Sequence, residues 1–388
     1  MRIDRIRASV IRYPLPRPLR PSWAPGREFT HSTCTLLEVT TDDGIVGLGA
    51  APDTGRIGLA TIADMVAPYV LGEDPFAVER ISPILRNASR DGSYPWGFET
   101  ALWDIVGKAT GQPVHRLWGA HKVRIRAYAS LAEITDVDEQ LARLAMLKDT
   151  GFAAAKLRLR RASIRDDIDF VTRVREGVGD AFDLMVDANQ AHVMPSPGPH
   201  NYWRFEDALT VARAMQDLNV LWLEEPLHRY DYDGLRRLCD AVDIPIAGGE
   251  LNLGLHEYKL LVDRGCYDII QADCAFSEGV FQLRKVAALA ELAYKQFIPH
   301  TWSNGVGLAA NLQLAAATPN CDWFEYPIDP PAWTPASRDY MLDRPFEIED
   351  DGYIAVRSEP GMGFGFDAEA VAPHVVETWD SHERARSR

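Results

Sequence analysis

Cysteine is sparse in this chain of 388 residues, and what there is forms no pairing motif. Cys34, Cys239, Cys266, Cys274 and Cys321 are scattered, with no Cys-x-x-Cys. That pattern argues against a disulfide framework or a zinc knuckle and leads us to expect buried thiols in a reducing, cytoplasmic setting. Long apolar runs are missing too, so no membrane span is expected, and the opening Met1-Arg2-Ile3-Asp4-Arg5 carries no apolar signal core. Positive charge is in deficit. Lys and Arg number 41 against 56 Asp and Glu, a formal net charge of −15. This argues against a nucleic-acid partner. It also gives no long-range pull on an anionic ligand, so any acid must be captured locally, by a metal and a few cations. No Gly-x-Gly-x-x-Gly turn follows an apolar run, which removes the dinucleotide-binding signature. No segment repeats.

What is present centres on Leu184 to Asp273. Four short apolar runs, LMVDANQ, LWLEEP, IPIAGGE and IIQAD, each end in a carboxylate: Asp187, Glu224, Glu250 and Asp273. Such runs read as buried strands. The steps between the carboxylates are 224−187 = 37, 250−224 = 26 and 273−250 = 23 residues. Each step holds a strand, a helix and two loops, so the region reads as successive βα units. In a closed barrel of such units, the C-terminal strand ends form one mouth. Several carboxylates in one mouth are costly without a cation, and an all-oxygen set suits a hard ion such as Mg²⁺.

The chain divides on the same reasoning. Residues 1–122 begin with alternating strands around the turn Asp43-Gly44 and continue into helical periodicity from Leu59 to Thr110, an α+β domain. Residues 123–345 alternate strand and helix. Strands are expected at 125–130, 154–159, 297–300 and 323–326 besides the four runs above, which makes eight and predicts a TIM-type (β/α) barrel of the α/β class. Residues 346–388 are expected to return to the first domain. One connection, from Gln190 to the helix near Glu206, is long and rich in Pro, Gly, His and aromatics.

Every strand from the second to the eighth delivers an ionisable group to one end: Lys156 and Arg158, Asp187, Glu224, Glu250, Asp273, His300, Glu325. Any one of these alone is weak, but seven successive strands doing so is not. Taken as an ordered set, Lys156-x-Arg158, Asp187-x-Asn189, Glu224-Glu225-Pro226, Gly249-Glu250, Asp273 and His300 resembles the enolase superfamily and, within it, the mandelate racemase subgroup. The likeness extends over nearly the whole chain and includes ALWDIVGKATGQPVHRLWGA, residues 101–120.

The resemblance implies a barrel whose mouth is closed by a cap built from the N- and C-terminal segments, with mobile loops near 20–31 and 51–58 selecting the substrate. It implies one Mg²⁺ per site on Asp187, Glu224 and Glu250, with Asn189 and Glu225 beside it. Asp273 and His300 are the implied acid/base dyad, and Glu325 the implied partner of the substrate carboxylate. The shared reaction removes the proton α to a carboxylate. Homo-oligomers, dimers or octamers, are also implied.

One position departs from the family pattern. The second residue of the usual Lys-x-Lys is Arg158, and a guanidinium is a poor proton shuttle. Racemisation by two opposed bases is therefore disfavoured unless Lys156 serves as the second, and His300 becomes the expected base. Residues expected to line the mouth include Arg27, Glu28, His31, Tyr94, Trp96, His192, His200, Tyr202, Trp302, Ser303 and Asn304. These are mostly aromatic or hydrogen-bonding and suit a polyol more than a hydrocarbon. The expected activity is dehydration of a sugar acid to a 2-keto-3-deoxy acid. A lactone cycloisomerase, an epimerase or racemase, and a barrel that binds a metal or sugar acid without turnover are the alternatives.

Overall fold

The computed structural model describes residues 1–52, 55–192 and 202–386. His200 and much of the 190–205 connection lie outside the described residues, as do two residues of the 51–58 loop.

Three antiparallel strands open the chain: β1 (Ile3–Leu19), β2 (Phe29–Thr41) and β3 (Val46–Pro52). The helix Trp96–Thr110 packs on β3 so closely that a Cβ at Gly47 or Gly49 would meet the carbonyls of Ala101 and Gly97. Ile6, Leu37, Val39, Phe98, Leu102 and Ile105 form the core between helix and sheet. Two acids on this buried helix tie separate parts of the chain together. Asp104 accepts from Leu48 N and Met362 N, both at 2.9 Å. Glu99, fully buried, accepts from Phe281 N at 2.7 Å, at the start of the helix Val280–Leu292, and from Ser82 Oγ at 3.0 Å.

Eight parallel strands follow in sheet order: β4 (Arg124–Ser130), β5 (Ala154–Arg158), β6 (Asp183–Asp187), β7 (Leu223–Glu224), β8 (Ile246–Gly248), β9 (Ile269–Ile270), β10 (Gln296–Phe297) and β11 (Trp323–Pro327). From β4 to β10 each pairs with the next, and β11 pairs back onto β4, so the sheet curls into a barrel with β10 and β11 at its two ends. At the seam between β10 and β11, Phe297 N donates to Asn320 O at 2.9 Å and Thr301 Oγ1 to Glu325 O at 2.6 Å. The connecting helices begin where local chemistry dictates. Asp136 accepts from Glu139 N at 2.8 Å and Ser163 from Asp166 N at 3.2 Å, each satisfying a helix N–H that has no partner of its own.

Alternation along each strand sorts the barrel interior into layers. Tyr128, Ala154, Met185, Trp222, Ala247, Ile269, Ile298 and Trp323 fill the lower layer, with Tyr128 and Trp222 edge to face at 5.2 Å. Two residues further along seven of these strands the character reverses, to Ser130, Lys156, Asp187, Glu224, Gln271, His300 and Glu325, while β8 has Gly249 there. The apolar plug keeps water from reaching this polar layer from below. Within 346–388, β12 (Tyr353–Ala355) pairs antiparallel with β4, and β13 (Val375–Asp380) pairs with β1 as the fourth strand of the N-terminal sheet. No helix among the described residues is long and apolar enough to cross a membrane. None of the five cysteines is in a disulfide.

Candidate active site

β5 presents Lys156 and Arg158 on the inward face, and both are buried. Lys156 Nζ lies 2.6 Å from Glu224 Oε1, 2.7 Å from Glu325 Oε1 and 3.9 Å from Asp187 Oδ2. Burial works against its charge, but Glu224 and Glu325 outweigh burial and raise its pKa. Arg158 pairs through Nη1 with Asp187 Oδ2 and donates from Nε to Leu131 O at 2.5 Å. Its guanidinium lies 5.1 Å from the ring of Trp23.

The two strands after β5 contribute adjacent acids. Asp187 ends β6 and accepts from Asn189 N at 2.8 Å and Asn189 Nδ2 at 3.0 Å. Glu224 ends β7, its Oε2 accepting from Gln271 Nε2 at 2.8 Å and Trp222 Nε1 at 3.3 Å. The chain then turns sharply at Glu225, whose φ is +47°. That conformation, uncommon for a residue with a side chain, carries a second carboxylate into the mouth. Glu225 Oε2 is buried without a hydrogen-bond partner among the described residues.

Burial raises all three glutamates. Glu224 is pushed up to about 7, by burial first and then by neighbouring carboxylates against the pull of Lys156. Glu225 is pushed well above the usual range by burial and Glu250. Burial also raises Glu250, although His300 opposes the rise.

His300 and Asp273 come together from adjacent strand ends. Nδ1 of His300 lies 2.8 Å from Asp273 Oδ2, and its Nε2 lies 3.2 Å from Glu250 Oε2. Ala275 N and Asn311 Nδ2 donate to Asp273 Oδ1 at 2.7 and 3.0 Å and fix its orientation. Burial disfavours the imidazolium, but Glu250, Glu325 and Asp273 more than compensate and raise His300 to about 10. Glu325 accepts from Ser130 Oγ and Thr301 N, each at 2.7 Å. Burial would raise it, yet Lys156 and His300 hold it down at about 2.

Of these groups Arg158, Glu250 and His300 line a cavity of about 110 Å³, together with Trp23, Asn189, His192 and Phe276. The cap closes it from above. Trp23 meets Trp302 edge to face at 5.1 Å, and Ser22 Oγ donates to Asn189 Oδ1 at 2.6 Å. Trp302 is held by its Nε1 donating to Ser130 Oγ at 2.8 Å.

Other expected lining residues stand elsewhere. His31 lines a neighbouring cavity on the cap side with Ser303, Asn304 and Trp302, of which Trp302 alone also lines the catalytic cavity. Trp96 lies in the core of the N-terminal region, 2% exposed, because its helix packs on the sheet on that side. Tyr94 reaches the site indirectly, edge to face with Phe276 at 5.5 Å. Asn304 caps the helix Gly305–Ala316. Tyr202 is largely exposed.

Asp187, Glu224, Glu225, Glu250, Asp273 and Glu325, all buried, face the permanent cations Lys156 and Arg158. That excess, with Glu225 Oε2 unpartnered, fits a divalent cation, and the oxygen-rich set fits Mg²⁺. The donor atoms of His192, Glu225 and Glu250 already lie within 4.8 Å of one another. Asp187 and Glu224 sit beside them, held by Arg158 and Lys156. His192 is 8% exposed, and its Nδ1 is 4.0 Å from Glu225 Oε2. Burial, and then Arg229, lower its pKa to about 4.

Several residues of the site were not singled out by sequence reasoning. Trp23 falls inside the 20–31 loop, where its aromatic character was the one available signal. Phe276, a cavity-lining ring, follows Asp273 with nothing to mark it. Gln271 was visible only as the inward position two before Asp273.

A capped barrel with a carboxylate-rich mouth and a His–Asp dyad defines a class of enzyme that works on the carbon next to a carboxylate. Residues 139–371 match the family described as Enolase C-terminal domain-like. Residues 7–119 match the N-terminal domain of mandelate racemase / muconate lactonizing enzyme. The chain belongs to the enolase superfamily, in its mandelate racemase subgroup. It is 28% identical over 383 residues to L-talarate/galactarate dehydratase of Salmonella typhimurium, covering 95% of this chain and 90% of that one. It is 27% identical over 387 residues to D-galactarolactone cycloisomerase of Agrobacterium fabrum, covering 96% and 98%. The crystal structure of L-talarate dehydratase from Polaromonas sp. JS666, complexed with Mg and L-glucarate, superposes with a TM-score of 0.85 at 27% identity, covering 98% of each chain.

Proposed function

We propose that this protein is a Mg²⁺-dependent acid-sugar dehydratase that converts a 2,3-dihydroxy acid to a 2-keto-3-deoxy acid. The observation that carries the reading is the His300–Asp273 pair at 2.8 Å, aimed across the mouth at a cluster of buried carboxylates.

On this reading Asp187, Glu224 and Glu250 hold the ion, with Glu225 and His192 beside it. When bound, Mg²⁺ supplies positive charge at the substrate carboxylate and stabilises the enediolate. Everything else falls to the chain itself. Asp273 orients His300; Glu250 Oε2, 3.2 Å from Nε2, keeps the imidazole protonated, and a cation held on Glu250 would offset that carboxylate and free Nε2 to take the α-proton. Lys156, held as a cation by its carboxylate neighbours, is poorly suited to be the base and instead steadies the substrate carboxylate, with ionised Glu325 at 2.7 Å fixing the ammonium in place. Arg158 cannot take a proton at neutral pH, so it grips the substrate or the departing hydroxyl. The imidazolium formed at His300 can return its proton to the β-hydroxide as it leaves. Trp23, Trp302 and Asn189 orient the polyol and exclude bulk water, while His31 can touch only its distal end.

Cycloisomerisation of a sugar-acid lactone is the second reading. It uses the same proton abstraction with ring oxygen as leaving group, and the Agrobacterium relative carries that name. The enzyme is expected to be a cytoplasmic homo-oligomer, a dimer or octamer.

The test is a library of aldonates, aldarates and their lactones, incubated with Mg²⁺ or EDTA and read for α-keto acids. A keto acid formed from one sugar acid and abolished by EDTA supports the dehydratase. Consumption of a lactone without keto acid moves the assignment to cycloisomerase. Silence with every compound sinks both.

A further inference from the structure

Arg160 occupies a backbone conformation that a residue with a side chain rarely adopts. Its φ is +108°. Glycine would take this conformation freely, whereas an arginine pays strain of order 1–3 kcal/mol. Asp167 holds the backbone there, both of its oxygens accepting from Arg160 N at 3.0 and 3.1 Å. The side chain so placed is 9% exposed, and Nη1 donates to Asn189 O at 3.1 Å. A cation has been put, against strain and against burial, behind a residue that lines the catalytic cavity.

A second cavity, of about 490 Å³, opens on this guanidinium. It lies between the 20–28 loop of the cap and residues 160–162 of the barrel. Among the described residues, Arg20, Arg27, Arg160 and Arg161 line it, against a single acid, Glu28. Glu28 is taken by Arg20 at 2.6 Å, and Arg161 reaches Asp167 at 3.3 Å. Arg27 lies 6.0 Å from the ring of Phe29. In a chain of net charge −15, this is a local concentration of positive charge. The partition between the two cavities is thin. Ser22 lines the outer one and Asn189 the catalytic one, and the hydrogen bond between their side chains closes the gap.

We propose that the arginine cavity binds the second anionic terminus of the substrate, so that the enzyme prefers a dianionic acid sugar to an aldonate. This rests on the acid-sugar reading above and narrows it. The substrate's C1 carboxylate lies among the catalytic groups, its hydroxyls take the place of the Ser22–Asn189 hydrogen bond and open the partition, and its far terminus meets Arg160 and Arg27. A carboxylate or a phosphate has the chemistry to pair with guanidinium groups there. Burial lowers the pKa of Arg160, and an anion beside it would restore its preference for charge.

The test is calorimetric binding to the Mg²⁺-loaded full chain. Galactarate is compared with galactonate, glucarate with gluconate, and 6-phosphogluconate with gluconate. A dianion of one of these sets should bind about tenfold or more tightly than its monoanion, the scale of one charge-assisted hydrogen bond. Which dianion wins distinguishes carboxylate from phosphate. Arg160→Gly relieves the strained φ, so its melting temperature should not fall, yet the dianion preference should drop to within about twofold of unity. Arg27→Gln should lower it as well. Equal binding in the wild type, a preference that survives in both variants, or no binding of any acid sugar would overturn the proposal. Exchange of the α-proton in D₂O, followed in parallel, separates the two readings. An aldonate that exchanges with no dianion preference sinks the arginine cavity alone. A dianion preference lost in Arg160→Gly, without exchange, sinks the catalytic reading alone.

Discussion

Nδ1 of His300 sits 2.8 Å from Oδ2 of Asp273, at the ends of neighbouring strands 27 residues apart in the chain. With the aspartate ionised, Nδ1 donates to it; Nε2 faces Glu250 Oε2 at 3.2 Å and becomes the proton acceptor once a cation takes up that carboxylate. His300→Asn should therefore abolish α-proton exchange with D₂O. Asp273→Asn leaves the imidazole in place but misorients it, and should slow exchange by about 10²–10⁴-fold, the range of general base catalysis. Unchanged exchange rates, measured by proton NMR, would contradict the assignment.

Metal affinity should rise with pH. Glu224, Glu225 and Glu250 are all raised by burial, and Glu224 reaches about 7. Each must be deprotonated to hold a cation, so protons compete with Mg²⁺ below that pH and the competition fades above it. Calorimetry at neutral pH in two buffers of different ionisation enthalpy should show proton release on Mg²⁺ binding. An affinity flat from pH 6 to pH 8, roughly one unit either side of Glu224, would show that these carboxylates are not the ligands. At a free Mg²⁺ concentration about 100 times Kd, the folded state should gain about 2.7 kcal/mol, visible as a raised Tm that EDTA reverses.

The cap–barrel contact at Glu99 carries a pH signature of its own. Burial raises this carboxyl to about 7 despite hydrogen bonds from Phe281 N and Ser82. A carboxyl raised on folding favours the folded state in its protonated form. Its contribution is complete below the unfolded value near 4.5 and is lost as pH climbs to about 7. Glu99→Gln keeps an acceptor for Phe281 N and removes the titration. The variant should match the wild type near pH 4.5 and exceed it at pH 8, by on the order of 3 kcal/mol at most. A stability difference constant with pH would refute this.

Arg158 should confine proton transfer to one face of the α-carbon. In the wild type, deuterium from D₂O should enter a single epimer. Arg158→Lys puts an amine that can lose its proton beside Asp187 and should admit some exchange at the opposite face. NMR detection of the second epimer in the variant alone is the expected outcome. Both epimers in the wild type would mean that another group serves the second face.

Much of this could be read from the chain because inward positions in a barrel recur every two residues. Lys156 and Arg158, and Glu224 above the plug residue Trp222, declare themselves by period and by unlike chemistry. Asp273 and His300 also show in sequence, each closing an apolar run. What escaped notice depends on contacts between distant segments. No pattern marks Trp23 as the roof, since that follows from the 20–31 loop meeting Trp302 and Asn189. Trp96 looked like a lining aromatic and is core, because only the packed helix decides which way it faces. His31 was expected at the mouth and lies beyond Trp302, a partition visible only once the cap is docked. The positive φ values of Glu225 and Arg160 are set by tertiary contacts that hold the chain against its local preference.

The most direct measurement is proton NMR in D₂O of the Mg²⁺-loaded enzyme with the acid-sugar library, run in parallel with EDTA-treated enzyme and with His300→Asn. The account predicts that one acid sugar loses its α-proton and becomes a 2-keto-3-deoxy acid with the wild type and Mg²⁺, while both controls stay inert. Turnover that persists in EDTA, or in His300→Asn, would contradict it.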